Sequence, residues 1–403
     1  MKSRKFGRFI LASAVSVGMV YSITACGVSH TVDFVFVTAS KGTTNGVGQI
    51  SSFAVDSQSG ALSQVPDSPF LSGGRNPVAE VTGADSKNLY VANELDNTIV
   101  QFQIGNDGKL YSTHTVNTPG SEPVALAVSP DGKYLFVLDN FRPNNPVYTD
   151  LNPGPGGLVV IPLDSTGNFG TPVANGNTSF WPLPFQPAAI NVLANGSSLY
   201  VVSRTGSVPG TNGVVTGFSI GSGGTLTPVA GSPFTAGTSP NAIASDPTSR
   251  FVYVTDGASN QIISYGVTSS GALVPSTNGP TTTGGFPDAV TVDPRGLFVY
   301  VANYNDPSVW AFAIDQATGV PTAVSSGGVY ANEAGPTCVL IEPALGRFLY
   351  VSNFLADTVT GLEINPTTGG MIATQGPVYK AAAQPTCVSA VTHGNHAIQH
   401  TQG

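Results

Sequence analysis

One short phrase, an apolar strand with an aromatic residue near its centre, recurs along almost the whole chain. Phe251–Val267 reads FVYVTDGASNQIISYGV, a strand, a tight polar turn and a second strand, and Phe298–Phe312 reads FVYVANYNDPSVWAF. Written loosely as Tyr-Val-Xaa-Asn/Asp, the phrase occurs at seven anchors: Phe36, Tyr90, Phe136, Tyr200, Tyr253, Tyr300 and Tyr350. A hairpin repeated at a similar period indicates an architecture of like units rather than a single site.

Two further markers repeat the same number of times. One is a proline with a small residue two positions later, in the pairs Pro77/Ala79, Pro123/Ala125, Pro187/Ala189, Pro240/Ala242, Pro287/Ala289, Pro336/Cys338 and Pro385/Cys387. The other is a glycine turn, in the pairs Gly60/Leu62, Gly108/Leu110, Gly167/Phe169, Gly224/Leu226, Gly271/Leu273, Gly319/Pro321 and Gly370/Ile372. Three independent markers therefore agree on seven units.

Each unit reads as four strands joined by short turns. The first strand follows the proline, the second carries the anchor, the third runs like Thr98–Ile104, and the fourth is weaker and more polar. Gly, Pro, Asp and Asn in the turns supply the backbone angles that hairpins need. No stretch after residue 26 has apolar residues at helical spacing over a helical length. The pattern predicts an all-β fold, a seven-bladed β-propeller of four-stranded antiparallel blades.

The two ends of the repeat array are complementary. The N-terminal unit has an aromatic second strand at Phe36 but no proline-led first strand before it, whereas Pro385–Val391 is a first strand with little after it. We expect the C-terminal strand to complete the first blade and close the ring, which removes free edges. One propeller domain is predicted over residues 33–392, followed by a polar C-terminal tail at 393–403.

The N-terminus has the layout of an export signal. A basic start, MKSRKFGRF, precedes the apolar ILASAVSVGMVYSI, which is short for a spanning helix. Ile23–Cys26 resembles a bacterial lipobox, with an ordinary cleavage site as the alternative. We predict a lipoprotein signal peptide at 1–25, lipidation of Cys26 and a lipid-anchored linker at 26–32. The protein would then be exported and membrane-anchored in the bacterial cell envelope.

Charged residues are scarce, with 15 Lys and Arg against 23 Asp and Glu. Removal of residues 1–25 takes away four basic residues and no acid, which leaves 11 basic and 23 acidic residues. Because a net acidic surface repels phosphate backbones, we expect no nucleic-acid partner. We expect a monomer whose membrane contact runs through the lipid anchor.

Several repeat residues carry a family resemblance. The Tyr-Val-Xaa-Asn repeats, Ser-Pro-Asp-Gly at 129–132, Gly-Ala-Leu at 60–62 and 271–273, and Gly-Ser-Pro-Phe at 231–234 with Asp-Ser-Pro-Phe at 67–70 resemble the lactonase-like seven-bladed propellers. That family includes propeller-type 6-phosphogluconolactonases and YVTN-repeat proteins. The resemblance covers about residues 33–392 and implies a lactonase-type hydrolase with a small lactone or carbohydrate-like ligand. An unphosphorylated sugar lactone or similar ester fits the scarcity of cations better, because phosphate sites use clustered Arg or Lys.

Two loops between second and third strands are unusually long, at 139–157 and 203–213, and an insertion at 180–185 lies between them in sequence. Long loops in a compact repeat are often functional. Lactone hydrolysis needs a base to activate water and a cation to hold the oxyanion. We therefore predict Asp139 or Glu122 as base and Arg142 or Arg204 as oxyanion partner. Further ligand-binding candidates are Arg75, Asp288 and Glu333; the alternative for each is a solvated loop charge.

The remaining reactive side chains allow two readings each. His393, His396 and His400 have a spacing that a metal would accept, but a polar tail explains them equally, so no metal ligands and no cofactor are assigned, with a divalent metal left possible. Cys338 and Cys387 fill the slot that Ala fills in five repeats. They are either small residues in a crowded turn or a disulfide at the ring closure, which requires Cα atoms within about 7 Å.

Three functions remain open for such a chain. One is a lactonase-type hydrolase, and the second is a non-catalytic propeller that binds a ligand or protein in the envelope. The third is a structural envelope lipoprotein. Carboxylates and arginines gathered at one end of the channel would favour hydrolysis, and an aromatic patch around Trp181 would favour binding.

Overall fold

The chain folds into seven antiparallel β-sheets arranged as a ring of blades. The computed structural model of the protein describes residues 30–42, 46–143, 154–208 and 210–394. In these residues, two short 3-10 turns at Glu94–Asp96 and Ser222–Gly224 interrupt an otherwise all-β chain. The predicted fold class is confirmed.

The strands follow one another blade by blade. Blades 1 to 3 contain β1 (Thr31–Ala39), β2 (Val47–Asp56), β3 (Leu62–Gln64) and β4 (Phe70–Arg75); β5 (Pro77–Thr82), β6 (Asn88–Asn93), β7 (Thr98–Ile104) and β8 (Leu110–Asn117); and β9 (Ser121–Val128), β10 (Tyr134–Phe141), β11 (Pro155–Pro162) and β12 (Trp181–Phe185). Blades 4 and 5 contain β13 (Pro187–Val192), β14 (Ser198–Ser203), β15 (Val214–Ile220), β16 (Leu226–Pro228) and β17 (Phe234–Thr235); and β18 (Pro240–Ser245), β19 (Phe251–Asp256), β20 (Gln261–Val267), β21 (Leu273–Pro275) and β22 (Thr281–Thr282). Blades 6 and 7 contain β23 (Pro287–Val292), β24 (Phe298–Asn303), β25 (Ser308–Ile314), β26 (Pro321–Ala323) and β27 (Val329–Ala331); and β28 (Pro336–Ile341), β29 (Phe348–Asn353), β30 (Thr358–Ile364) and β31 (Met371–Lys380). The last strand, β32 (Pro385–Thr392), returns to blade 1.

The ring is closed by the C-terminal strand. Strand β32 pairs antiparallel with β1, with Phe36 opposite Ser389 and Thr38 opposite Cys387. The seven first strands, β32, β5, β9, β13, β18, β23 and β28, each contact both neighbours around a central channel. The predicted closure is therefore confirmed, and it joins the two ends of the chain without leaving β1 as a free edge.

The outer parts of the blades differ more than the sequence suggested. In blades 1, 4, 5 and 6 the fourth strand is split into two short strands that both pair with the third. The 180–185 segment was expected to be an inserted loop, but Trp181–Phe185 is the outer strand of blade 3. Trp181 is buried, and its indole Nε1–H donates to the Leu226 carbonyl at 2.9 Å, so this tryptophan belongs to the contact between blades 3 and 4.

Two of the repeated sequence markers bind each other across the blade interfaces. The anchor tyrosine of one blade donates its hydroxyl to the carbonyl of the turn glycine in the next, as in Tyr253 to Gly319 at 3.0 Å. The other pairs are Tyr90 to Gly167, Tyr200 to Gly271, Tyr350 to Gly60, and Tyr300 to Gly369, the residue just before the marker glycine Gly370. Gly319 has a φ of +73°, and a Cβ there would lie 2.3 Å from the ring of Phe251. The turn requires glycine because both its backbone angle and its neighbour exclude a side chain.

The buried apolar side chains form a cluster between every two neighbouring blades of the described structure. The second strands supply most of it, because both of their faces are covered; Phe298–Asn303 is buried throughout. No helix among the described residues has the length and apolar character needed to cross a bilayer. Cys26, His396 and His400 lie outside the described residues. His393 packs its ring against Phe34, with ring centroids 4.8 Å apart.

Candidate functional site

All seven first strands begin at the same end of the channel, which we call the channel mouth. The residue before the starting proline is left-handed in six blades, with φ between 51° and 57° at the non-glycine positions Asn76, Glu122, Gln186, Phe286 and Gln384 and 70° at Gly335. Left-handed backbone at non-glycine residues is uncommon and persists where neighbours hold it in place. Here the left-handed residue is held by the turn after the second strand of the preceding blade. Asn97 Oδ1 accepts the Glu122 N–H at 2.7 Å, and Asn260 Oδ1 accepts the Phe286 N–H at 2.7 Å.

A second set of equivalent positions completes the rim of the mouth. In six blades, the residue that follows the second strand donates its N–H to the carbonyl of the residue before the proline. The six contacts of this kind run from Ser40 to Gln384, Glu94 to Asn76, Arg204 to Gln186, Gly257 to Ser239, Tyr304 to Phe286 and Phe354 to Gly335. The backbone scaffold is shared, but only Glu94 and Arg204 carry a charge at this position. The repeated backbone contact therefore fixes the position of this side chain at the rim, and the sequence of each blade determines whether the side chain is charged.

Blades 2 and 3 bring carboxylates and amides together at the mouth. The Asn76 side-chain amide donates to Glu94, and the Asn140 amide donates to Glu122 Oε2 at 3.0 Å. Burial raises the pKa of Glu94, the Asn76 hydrogen bond opposes the increase, and the Glu122 charge adds to it. Two acids close enough to influence each other favour proton uptake by one of them.

Blades 4 to 6 place a cation and a carboxyl group near each other. Arg204 donates its Nε–H to Asn241 Oδ1 at 3.1 Å, and the Asn241 amide donates to the Pro287 carbonyl at 3.4 Å. Asp288, the next residue on β23, is partly buried. Burial raises the pKa of Asp288 to about 6, although the Arg204 charge lowers it. A carboxyl group whose pKa is raised by burial, close enough to a guanidinium to interact with its charge, is suitable for acid–base catalysis.

Asp139 stands apart from this group. It lies on β10 rather than in the following loop, and its side chain is fully buried. Thr118 Oγ1 donates to both carboxylate oxygens at 2.6 and 2.5 Å, and the Gly120 N–H donates at 2.9 Å. Burial raises the pKa of Asp139 to about 7 despite these donors. Asp256 makes the same kind of contact with the Thr238 and Ser239 N–H groups, so Asp139 occupies a loop-ordering position of the repeat.

The other predicted site residues are more dispersed. Arg75 pairs with Asp96, with Nη2 2.6 Å from Oδ1, and half of its side chain is exposed. Glu333 is exposed in the segment between β27 and β28. Arg142 follows β10 and donates its backbone N–H to Pro155 at 3.0 Å, beside the residues 144–153 that lie outside the described structure. The structure therefore brings Glu122, Arg204 and Asp288 to the mouth, and the catalytic roles of Asp139, Glu122, Arg142 and Arg204 all stay predictions.

Sequence reasoning missed Glu94, Asn140 and Asn241. Asn241 and Asp288 both directly follow a first-strand proline, and Glu94 and Arg204 both directly follow a second strand. Alignment of the seven units by position would have directed attention to Asp288, Glu94 and Arg204, since a charged residue at either position is found in few blades. No group of three or more His, Cys, Asp or Glu side chains within the described ranges is placed to hold a metal ion.

Comparison with solved structures reveals many similar folds. A candidate 6-phosphogluconolactonase from Bacteroides fragilis NCTC 9343 has a TM-score of 0.71 and 18% identity, over 89% of this chain and 98% of that one. The periplasmic gluconolactonase PpgL of Pseudomonas aeruginosa has a TM-score of 0.71 and 18% identity, over 90% of this chain and all of that one. At such identities the likeness concerns the fold alone.

Comparison with curated protein sequences gives no match. The sequence profile of the family described as "Lactonase, 7-bladed beta-propeller" matches residues 44–149, 172–285, 231–341 and 274–390. The last three ranges overlap, and all four together span most of the ring, including the first strands β5 to β28 and most of β32. The chain belongs to the seven-bladed lactonase β-propeller family.

Proposed function

We propose that the protein hydrolyses a lactone or a similar ester at the channel mouth, with Asp288 as general base and Arg204 as oxyanion partner. The observation that carries the proposal is the placement of Arg204 and Asp288 on blades 4 and 6, with Asn241 of blade 5 bound to the guanidinium. Membership of the lactonase family supports the reaction class. Asn241 acts as a positioning residue because it contacts Arg204 and the Pro287 backbone.

The chemistry follows from the two charges. Asp288 accepts a proton from water as the water oxygen attacks the lactone carbonyl carbon. Negative charge then develops on the carbonyl oxygen, where the guanidinium of Arg204 stabilises it. The bond from the carbonyl carbon to the ring oxygen breaks, and Asp288 returns the proton to that oxygen. The product is an open-chain hydroxy acid, and Asp288 is again a carboxylate.

The electrostatics of the mouth favour an uncharged substrate. Among the described residues, the acids Glu94, Glu122 and Asp288 lie at the mouth with the cation Arg204, and the nearby Arg75 is already paired with Asp96. A phosphorylated substrate would need clustered cations and would be repelled by the carboxylates. We therefore infer an unphosphorylated sugar lactone, whose hydroxyl groups suit amide and carboxylate partners such as Asn140 and Glu122.

The test is hydrolysis of a lactone panel by the purified protein, with proton release measured against the uncatalysed rate and with and without chelator. Asp288→Asn is expected to lower kcat/KM by about 100-fold or more, because it removes the base. Arg204→Ala is expected to cost about 100-fold in kcat, because it removes the oxyanion partner. Lys133→Ala is the matched control, since Lys133 pairs with Asp131 on an exposed turn away from the mouth.

Equal activity of the Asp288→Asn, Arg204→Ala and Lys133→Ala variants, with unchanged folding, would refute the proposed roles. Lactones that bind without being hydrolysed by the parent protein would instead support a non-catalytic propeller that binds ligand at the same place. Loss of activity on adding chelator would mean that the base acts together with a metal ion.

A further inference from the structure

Two thiols meet between neighbouring first strands at the ring closure. Cys338 on β28 and Cys387 on β32 are both free and partly exposed, and their Sγ atoms lie 3.1 Å apart. The two strands are neighbouring first strands, one from blade 7 and one from blade 1. Formation of a disulfide bond requires a sulfur separation of about 2.05 Å, so small side-chain movements suffice.

A buried acid adjoins this thiol pair. Glu80 lies on β5, the first strand next to β32, and only 6% of the residue is exposed. Neither of its carboxyl oxygens has a hydrogen-bond partner in the described structure, although Ser389 and the Thr38 backbone lie nearby. A buried carboxyl group without a partner is costly, and such groups cluster at reactive sites. The three side chains thus come from three successive first strands.

We propose that Cys338, Cys387 and Glu80 form a thiol–disulfide exchange site, at which small disulfides oxidise the two thiols to a bond between blades 7 and 1. The inference rests on the juxtaposition of the two sulfurs and the unpartnered acid, and it is independent of lactone hydrolysis. The substrate class is a low-molecular-weight disulfide, and the product is the matching thiol.

The first step assigns the attacking sulfur to Cys338. The Val388 N–H points at Cys338 Sγ at 3.3 Å and stabilises negative charge on that atom. The Cys338 thiol loses its proton to solvent, and its thiolate attacks one sulfur of the external disulfide; the other sulfur leaves as a thiolate and takes up a proton from solvent. Cys338 is then joined to half of the reagent.

The second step uses Cys387 and Glu80. The Cys338 hydrogen bond and burial raise the pKa of the Cys387 thiol, so this sulfur needs a proton acceptor. Burial and the Cys387 charge raise the pKa of Glu80, so the acid accepts a proton only when it is ionised, and this ionised form, which grows with pH, is a stronger base than an exposed carboxylate. Glu80 takes the Cys387 proton, the Cys387 sulfur attacks Cys338, and the second reagent thiolate leaves with that proton. Two protein thiols are oxidised and one disulfide is reduced to two thiols.

The experiment equilibrates the purified full chain in glutathione buffers of increasing oxidised fraction. Acid quenching, alkylation and peptide mass mapping then report the linked and free forms. We expect one Cys338–Cys387 link and a higher melting temperature of the oxidised protein, because the bond ties the closing blade to its neighbour. Cys338→Ala and Cys387→Ala should each abolish both effects.

Glu80→Gln tests the acid separately. Closure should slow about tenfold or more and lose the part of its pH dependence that comes from Glu80, while the final linked form is still reached. The matched control introduces Ala242→Cys and Ala289→Cys into a Cys338→Ala, Cys387→Ala background. These are the same slots in blades 5 and 6, where Val339 stands at the position of Glu80. The two introduced cysteines should form their disulfide at the slow rate expected for Glu80→Gln, because valine rather than an acid stands at the position of Glu80.

Three results would overturn the proposal. One is the persistence of both free thiols in fully oxidised glutathione. Another is a glutathione adduct on either cysteine that never converts to the link. The third concerns Glu80: unchanged closure rate and pH profile in Glu80→Gln would remove the acid from the site.

Discussion

Asp33 is the most perturbed carboxyl group at the junction of the first and last blades. It lies fully buried on β1 beside Glu342 of blade 7, whose oxygens accept N–H donors from Leu345 and Arg347 at 2.7 Å. The pKa of Asp33 is raised to about 9, mainly by burial and to a smaller extent by the adjoining Glu342 carboxyl group. Because Glu342 is held as an acceptor by the backbone, Asp33 is the member of the pair that keeps the proton.

This proton makes the ring closure sensitive to pH. The folded-state pKa of Asp33 lies above the unfolded value, so its contribution to stability is complete below about pH 4 and is lost as the pH rises toward 9. The unfolding free energy should fall by up to about 1.4 kcal/mol per pH unit in that range from this group alone. Asp33→Asn, which is always neutral, should flatten the slope and be more stable than the parent at pH 8.

Urea denaturation at pH 5, 6.5 and 8 measures how the unfolding free energy of the parent and of Asp33→Asn changes with pH. Asp315→Asn is a suitable control, because Asp315 lies in an exposed turn. The hydroxyl and the backbone N–H of Thr318 donate to the Asp315 carboxylate and lower its pKa instead of raising it. Parallel pH dependences of Asp33→Asn and the parent would contradict the assignment of the proton to Asp33.

At the scale of elements, the tyrosine-to-glycine contact is the link between blades. Tyr350 donates to the Gly60 carbonyl at 2.8 Å and so connects blade 7 to blade 1. Tyr350→Phe should lower the unfolding free energy by about 1–2 kcal/mol, because it leaves a buried carbonyl without its donor. Phenylalanine fits the position, since Phe36 and Phe136 occupy it in blades 1 and 3.

Guanidinium denaturation measures the loss, and Tyr111→Phe is the control because Tyr111 is 52% exposed. Equal stability of the two variants would mean that the hydroxyl contributes nothing across the interface.

The number and the strand order of the blades can be predicted from the sequence, because the same contacts between neighbouring blades are repeated around the ring. Aromatic anchors, turn glycines and first-strand prolines recur since each blade packs on the next in one way. The site is harder to predict because it uses the exceptions to the repeat. The sequence predicts Asp139 as the first residue of a loop, whereas the structure places it near the end of a second strand, at the position of Asn93 and Asp256. Glu94 and Asn241 gain significance only when neighbouring blades bring them to the channel mouth.

For the whole molecule, we propose export and attachment to the membrane through lipid on Cys26. The basic start, the short apolar segment and Ile23–Cys26 support this location. Cys26→Ser should abolish labelling by a radioactive or clickable fatty acid and leave the precursor uncleaved. Cys387→Ser is the matched control and should be labelled like the parent. Processing and membrane partition of Cys26→Ser identical to the parent would show that Cys26 is not the anchor.

The central claim is that a carboxyl group with a raised pKa, Asp288, works with Arg204 at the mouth of the ring. The most direct test is the pH profile of kcat/KM for the best lactone, after subtraction of the uncatalysed rate. We predict that kcat/KM rises with pH through an apparent pKa of about 6, since Asp288 must be ionised to accept a proton. Asp288→Asn should lose this rise at unchanged melting temperature. A rise that persists in Asp288→Asn, at full activity, would contradict the claim.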